Sequence, residues 1–344
     1  MFAYNAILCI HLNMYNSPNF NGKVFVNPIP TALATPGGMW RILGEYLKSH
    51  PGKRPATQLG PFYTDKKNLN LLNNNSLSIT WLGHSTLLIE IDGKRFLTDP
   101  VWAERVSPFS FIGPKRFFSP PLSIDDLPHL DGIIISHDHF DHLDKAAVQK
   151  LVVKNIPFYV SLGVEKILCS WGVDKRLISS FDWWQDLELS DGFKITAAPA
   201  RHFSGRSLNN RNQTLWASYV IRGPQHCFYY GADSGMHPLF KEIGERLGPF
   251  DVTSLEIGAY HELWPDIHMG PENAAEAQVQ LGSGLLLPIH WGTYDLAFHN
   301  WKEPIERLIK ASILKNIKLI VPEPGEAYLF NNQSYINTWW KKSR

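Results

Sequence analysis

Three histidines and two aspartates crowd into six consecutive residues of this chain, His137-Asp138-His139-Phe140-Asp141-His142. Imidazole and carboxylate together are the ligands of Zn²⁺, and they also suit Fe and Mn, so the pattern announces a metal site before it announces the metal. With 14 His and 17 Asp among 344 residues, a His-x-His-x-Asp-His run arises by accident with a probability on the order of 10⁻³. His137 and His139 alternate with Asp138, so an extended backbone aims both imidazoles to one side. Asp141 and His142 follow where the chain turns into the next element, and can face a second ion beside the first.

A site of this kind needs more ligands than one turn supplies. His202 follows the apolar stretch 193–198, Asp233 comes at the end of 227–231, and His290 ends 285–290. Each stands at the close of an apolar run, where open sheets place their ligands. His84 sits in a turn between two strand-like runs and is a candidate for the orienting or lining residues of the same pocket.

The elements that must position these residues follow from pattern. Strands are expected over 77–81, 86–91 and 95–99, joined by short turns such as Asp92-Gly93. The β-branched run Gly132–Ser136 reads as a strand buried on both faces, feeding directly into the histidine turn. Asp144 is the expected N-cap of a helix reaching about Val153. Further strands are expected at 158–161, 193–198, 216–222, 227–231, 252–257, 285–290 and 317–321. Helices are expected at 38–50, 164–171, 237–247, 271–281 and 304–316. Strands followed by strand–helix units, in both halves, predict an α/β fold of two packed sheets with helices outside, an αβ/βα four-layer sandwich. Residues 1–75, rich in Asn, Pro and Lys, read as an N-terminal extension packed on a catalytic domain spanning 76–344. The 101–121 loop interleaves Trp102, Phe109, Phe111, Phe117 and Phe118 with Arg105, Lys115 and Arg116. That composition serves either internal packing or contact with lipid tails and headgroups.

Bulk properties narrow the classes of function. An apolar fraction of 44% and a charged fraction of 19% belong to a globular chain rather than a disordered one. A net charge of +1 provides no field for holding nucleic acid, so none is expected as a partner. Cys9, Cys169 and Cys227 form no CxxC pair, which argues against a disulfide framework and suits a reducing compartment. The first 16 residues carry a short apolar stretch without a basic leader, a poor signal peptide and too short to span a bilayer. The expected location is cytoplasmic, with a peripheral membrane contact left open; oligomeric state is not legible.

The order Thr98-Asp99-Pro100, His-x-His-x-Asp-His, His202, Asp233, His290 resembles the five motifs of the metallo-β-lactamase superfamily over roughly residues 76–325. The resemblance implies two divalent ions, zinc foremost with Fe or Mn as alternatives. His137, His139 and His202 would hold one, Asp141, His142 and His290 the other, and Asp233 would bridge them, with Asp99 orienting a ligand. A narrower similarity is carried by Trp81-Leu82-Gly83-His84-Ser85-Thr86, Leu97-Thr98-Asp99-Pro100, Gly231-Ala232-Asp233-Ser234-Gly235, His268-Met269-Gly270-Pro271-Glu272 and His290-Trp291-Gly292-Thr293. These segments, and the early run 20–28, are similar to the N-acylphosphatidylethanolamine-hydrolysing phospholipase D branch.

That branch implies a phosphodiesterase acting on a small-molecule or phospholipid phosphodiester through a hydroxide shared by two metal ions. Asp141 and Asp233 would orient the nucleophile and take its proton. His268, which the resemblance puts at the pocket rim, would contact the phosphate or protonate the leaving oxygen. His237, Tyr260, His261, Trp264 and Arg206 flank the ligand segments as candidate pocket-lining residues. The alternatives are a lactonase or carboxylic-ester hydrolase of a small phosphorylated substrate, and a non-catalytic metal-binding scaffold. A nuclease is disfavoured by the charge, and an oxygen-reducing di-iron protein by His139, where such proteins usually carry Glu.

Overall fold

The computed structural model of the protein describes residues 15–67, 69, 74–109, 111–207, 209–282 and 284–342. The apolar N-terminal stretch, up to residue 14, and Cys9 lie outside them. The chain opens with α1 (Gly38–Tyr46), then β1 (Leu77–Gly83), β2 (Thr86–Ile91), β3 (Lys94–Thr98), β4 (Gly132–Ile135), α2 (Lys145–Val152), β5 (Phe158–Ser161), α3 (Val164–Ser170) and β6 (Ile178–Phe181). The second half runs β7 (Asp186–Glu188), β8 (Lys194–Ala198), β9 (Ser218–Arg222), β10 (Cys227–Tyr230), α4 (Leu239–Leu247), β11 (Val252–Glu256), α5 (Gly270–Leu281) and β12 (Leu285–Ile289). It closes with α6 (Glu303–Lys315), β13 (Ile320–Val321), β14 (Ala327–Leu329), β15 (Tyr335–Ile336) and α7 (Trp339–Lys342).

Two large sheets result. The first has the order β14-β1-β2-β3-β4-β5-β6 and the second β12-β11-β10-β9-β8-β7. Pairing is antiparallel from β14 to β3 and parallel from β3 to β6. In the second sheet β7 to β10 are antiparallel and β10 to β12 parallel. The main core lies between the sheets and extends under α4, α5 and α6. A second cluster joins the outer face of the first sheet to α2 and α3. Helices, sheet, sheet, helices is the four-layer order that the pattern predicts.

The sorting of side chains follows the two-residue period of a strand. In β4, Ile134 enters the inter-sheet core while Ile133 and Ile135 pack against the outer helices. Both faces are buried, as the uninterrupted apolar run requires. Asp144 caps α2, its side chain accepting from Ala146 N at 2.9 Å and Ala147 N at 3.3 Å. Its second oxygen accepts from the backbone N–H groups of Trp102 and Ala103.

Several expectations need correction. The strand expected over 216–222 begins at Ser218, and the one over 317–321 contracts to Ile320–Val321. The short strands β6, β7, β14 and β15, of two to four residues, lie at sheet edges or in a separate two-stranded pair, too short for alternation or an apolar run to mark them. The 101–121 loop divides in two. Arg116, Phe117 and Phe118 are buried, and the Arg116 guanidinium donates to Val101 O, Leu82 O and the Tyr294 hydroxyl. Phe109, Phe111 and Ile112 are exposed. Trp183, Trp339 and Trp340 belong to the core.

Residues from the segment before β1 reach this framework directly. Phe25 is fully buried in the inter-sheet core. Asn27 pairs with the backbone of His202 through both its amide groups, at 2.7 and 3.2 Å.

Candidate metal centre

The expected ligands leave the carboxyl ends of different strands and converge. The His137 turn follows β4, His202 lies beyond β8, Asp233 beyond β10 and His290 directly after β12. His139 Nδ1 lies 2.8 Å from His137 Nε2 and 3.3 Å from His202 Nε2. Asp233 Oδ2 lies 3.7 Å from His202 Nε2, 3.1 Å from His142 Nε2 and 3.2 Å from His290 Nε2. Asp141 Oδ2 stands 3.4 Å from His290 Nε2 and 3.7 Å from His142 Nε2. Ligand atoms of His137, His139, His202 and Asp233 all fall within 4.8 Å of one another, and so do those of His84, Asp141, His142 and His290. Asp233 reaches from the first group to the second.

The donor set fits divalent cations. Asp233 Oδ1 and His290 Nδ1 are buried without a hydrogen-bond partner, and His142 Nε2 and His290 Nε2 meet the carboxylate oxygens of Asp233 and Asp141. A buried polar atom left unengaged costs about 1–3 kcal/mol, and nitrogens and carboxylate oxygens packed this closely have the chemistry of a ligand shell. Burial and mutual repulsion hold His137 well below the usual histidine range, and burial does the same for His202. Burial also pulls His142 and His290 down, but Asp233, then Asp141, outweighs it and pushes His290 up to about 10 and His142 well above its usual value.

A ring of partners fixes how the ligands face. Asp99, fully buried after β3, accepts from Ser136 N at 2.8 Å, Ser136 Oγ at 2.5 Å, His142 Nδ1 at 2.6 Å and Tyr230 OH at 2.6 Å. His202 Nδ1 donates to Ile267 O at 2.9 Å, leaving Nε2 for the site. His84 Nε2 lies 3.0 Å from Asp141 Oδ2, and its ring packs 4.0 Å from that of His290. Burial, then repulsion from His290, lowers His84 to about 3, so it stays neutral. Glu256 Oε2 lies 2.6 Å from His268 Nδ1.

The backbone is bent to make this possible. His84, Asp99, Ala232 and His290 adopt φ of 54°, 33°, 50° and 61°, a left-handed region costly for residues with a Cβ and concentrated at functional sites. Gly235 is required by a close approach: a Cβ there would meet Asp266 O at 1.7 Å. The contact presses the Asp233 loop onto the segment that carries Ile267 and His268.

The flanking candidates have other tasks. Arg206 Nη1 donates to Asp138 O at 2.7 Å and Leu143 O at 2.8 Å, and its guanidinium stacks 3.9 Å over Phe140. It clamps the metal loop instead of lining an open pocket. Tyr260 OH donates to Glu303, His237 stacks on Phe240, and His261 packs on Trp264. None of these three is among the clustered ligand groups. Sequence reasoning missed the roles of Ser136, Tyr230 and Glu256. Only Glu256 offered a signal, a carboxylate within the strand expected over 252–257, since Glu is almost never fully buried unless paired.

Residues 94–291 match the family model of the beta-lactamase superfamily domain. The chain belongs to the metallo-β-lactamase superfamily. A Herpetosiphon aurantiacus protein named UPF0173 metal-dependent hydrolase is 30% identical over 261 residues, covering 74% of this chain and 98% of that one. An uncharacterised Mycobacterium tuberculosis protein is 44% identical over 331 residues, covering 94% of this chain and 88% of that one. The Caenorhabditis elegans protein named N-acyl-phosphatidylethanolamine-hydrolyzing phospholipase D 1 is 36% identical over 337 residues, covering 91% and 94%. That places the chain in the branch its motifs resemble. An isothiocyanate hydrolase from Delia radicum gut bacteria shares the fold, with a TM-score of 0.61 at 23% identity over 74% of this chain and 99% of that one.

Proposed function

We propose that this superfamily member is a phosphodiesterase, phospholipase D-like in the bond it breaks, working with two divalent cations, zinc first among them. The observation that carries the reading is the near full-length relation to the C. elegans phospholipase D. His137, His139 and His202 would hold one cation, Asp141, His142 and His290 the other, and Asp233 both. Bound there, the cations supply Lewis acidity and lower the pKa of water toward neutrality.

The chain's own residues do the rest. Asp141 Oδ2 and Asp233 Oδ2 face the same His290 nitrogen at 3.4 and 3.2 Å. From there they orient an attacking water and accept its proton. The water oxygen joins phosphorus and the alcohol leaves. His268, partly accessible beside His202 and His290, hydrogen-bonds the phosphate or returns a proton to the leaving oxygen. Asp99 keeps His142 Nδ1 engaged, so that Nε2 stays turned to the cavity.

A membrane surface is the proposed source of substrate. Trp40, Leu43, Tyr46 and Leu47 of α1 and the residue after it are exposed, as are Phe109, Phe111 and Ile112. Arg41 and Lys48 in and after α1 are exposed, paired with Glu262 and Glu45, and an apolar face flanked by such side chains suits a lipid interface. Among the described residues no helix is long and apolar enough to cross a membrane. We read the segment before residue 76 as one body with the catalytic region, on the contacts of Phe25 and Asn27.

The test is an assay of purified protein against bis(p-nitrophenyl) phosphate, N-acylphosphatidylethanolamine vesicles and a lactone panel. Phosphodiester turnover, abolished by chelator and restored by zinc, is expected. Turnover of lactones alone would replace the reading with a carboxylic-ester hydrolase. Vesicles containing anionic lipid should sediment the protein, and Trp40→Ala with Leu47→Asp should weaken that binding at unchanged turnover of the soluble ester.

A further inference from the structure

Glu256 is the last residue of β11, and its side chain is fully buried. A carboxylate with no access to water persists only when each oxygen is engaged. Oε1 accepts from Ser234 N at 3.0 Å and from Met269 N at 3.3 Å. Two backbone donors from separate segments pin that oxygen, so the carboxylate cannot rotate. The other oxygen is thereby fixed on His268 Nδ1 at 2.6 Å. His290 Nδ1, at 3.9 Å, is the next nearest charged partner.

His268 itself is 13% exposed. Its ring spans the distance between a sealed carboxylate and the accessible edge of the metal cavity, 5.2 Å from the His202 ring and 5.3 Å from the His290 ring. An ionised carboxylate only accepts hydrogen bonds. Burial pushes the Glu256 carboxyl above its usual range and His268 draws it back down; with the carboxylate ionised against that ring, the proton between the two sits on Nδ1, and Nε2 is the ring nitrogen left for substrate. Without Glu256, either nitrogen could carry the proton and the ring could turn.

We infer that Glu256 is a positioning residue that fixes the tautomer and aim of His268, so that Nε2 faces the substrate as an acceptor, takes up the proton released by the attacking water and, with the Glu256 carboxylate answering the charge, returns it to the leaving oxygen. The use of that nitrogen rests on the phosphodiesterase reading; the fixed tautomer does not.

Glu256→Gln isolates the effect. The amide keeps an acceptor for Ser234 N and Met269 N but turns a donor toward His268, which must then carry its proton on Nε2. Nitrogen-15 NMR of histidine-labelled, zinc-loaded protein should show a hydrogen-bonded Nδ1–H for His268 in the wild type and in Glu256→Asp, and Nε2–H in Glu256→Gln. The His268 signal is assigned with His268→Ala. With zinc content and KM unchanged, kcat on bis(p-nitrophenyl) phosphate should fall about 10–100-fold in Glu256→Gln, the usual effect of removing an orienting partner. In the His268→Ala background the same substitution should change nothing further.

An unchanged His268 tautomer in Glu256→Gln would overturn the inference. So would an equal loss in the His268→Ala background, or loss of zinc, since Glu256 would then serve the Asp233 loop. Predicted tautomers in a protein that turns over no phosphodiester would sink the proposed activity and leave the Glu256–His268 unit standing.

Discussion

Replacing Asp99 with Asn changes neither size nor shape, only what the side chain can receive. The carboxylate accepts from Ser136 N, Ser136 Oγ, His142 Nδ1 and Tyr230 OH, all within 2.8 Å. The amide keeps one acceptor, which Ser136 N can use, and presents a donor to the other three groups. The two hydroxyls can rotate away. His142 cannot rotate within a fully buried site, so the proton it gives up is the one on Nδ1 and the one it keeps is on Nε2, the nitrogen that faces Asp233 at 3.1 Å. A protonated Nε2 cannot hold a metal. Returning the proton forces Nδ1–H against an amide N–H and forfeits a charge-assisted hydrogen bond worth about 1.5–3 kcal/mol. Metal affinity should therefore fall about 10–100-fold, or about 1.4–2.7 kcal/mol. Competition against a chromophoric chelator measures this at fixed pH, with thermal denaturation of the metal-free variant as a check on folding. A folded Asp99→Asn protein with wild-type metal affinity would refute the reasoning.

His84→Ala removes the protein partner of Asp141 and the ring packed on His290, so mild chelation should strip one equivalent of metal from the Asp141 cluster before the other; simultaneous loss of both would contradict this. Arg206→Ala exposes the carbonyls of Asp138 and Leu143 and loosens the turn. A loss of about tenfold in metal affinity is expected, and Arg206→Lys should not restore it, because an ammonium cannot span two carbonyls and stack on Phe140. Loading metal must displace the protons that Asp233 and Asp141 hold on His142 and His290. About two protons should appear per chain at pH 7, and affinity should climb as pH rises toward the His290 value of about 10 and fall in acid. Calorimetry in buffers of different ionisation enthalpy reads the number, and no release would show that the two nitrogens do not ligate.

The residues that carry chemistry were legible where composition and position coincide. The His137 turn is improbable by chance, and His202, Asp233 and His290 each close an apolar strand, a signal that survives translation into three dimensions because parallel strands deliver their ends to one edge. Asp144 announced its cap for a similarly local reason. What stayed hidden depends on contacts between distant segments. Lys115 and Arg116 are identical in pattern, yet Lys115 pairs with Glu104 at the surface while Arg116 is buried among carbonyls. Arg206 looked like a pocket residue and proves to be a clamp. Glu256 acquires its role only when β11 brings it against His268. The edge strands β6 and β7 were missed because Ile178–Phe181 and Asp186–Glu188, four and three residues long, are too short to show a period or an apolar run.

Elemental analysis of the purified protein, together with bis(p-nitrophenyl) phosphate turnover on the same sample, tests the central claim most directly. Close to two equivalents of zinc, iron or manganese per chain, with phosphodiester hydrolysis lost on chelation and regained on reloading, is the predicted result. A protein that holds no metal and recruits none on titration would contradict the ligand assignment from His137 to His290 and the hydrolase built on it.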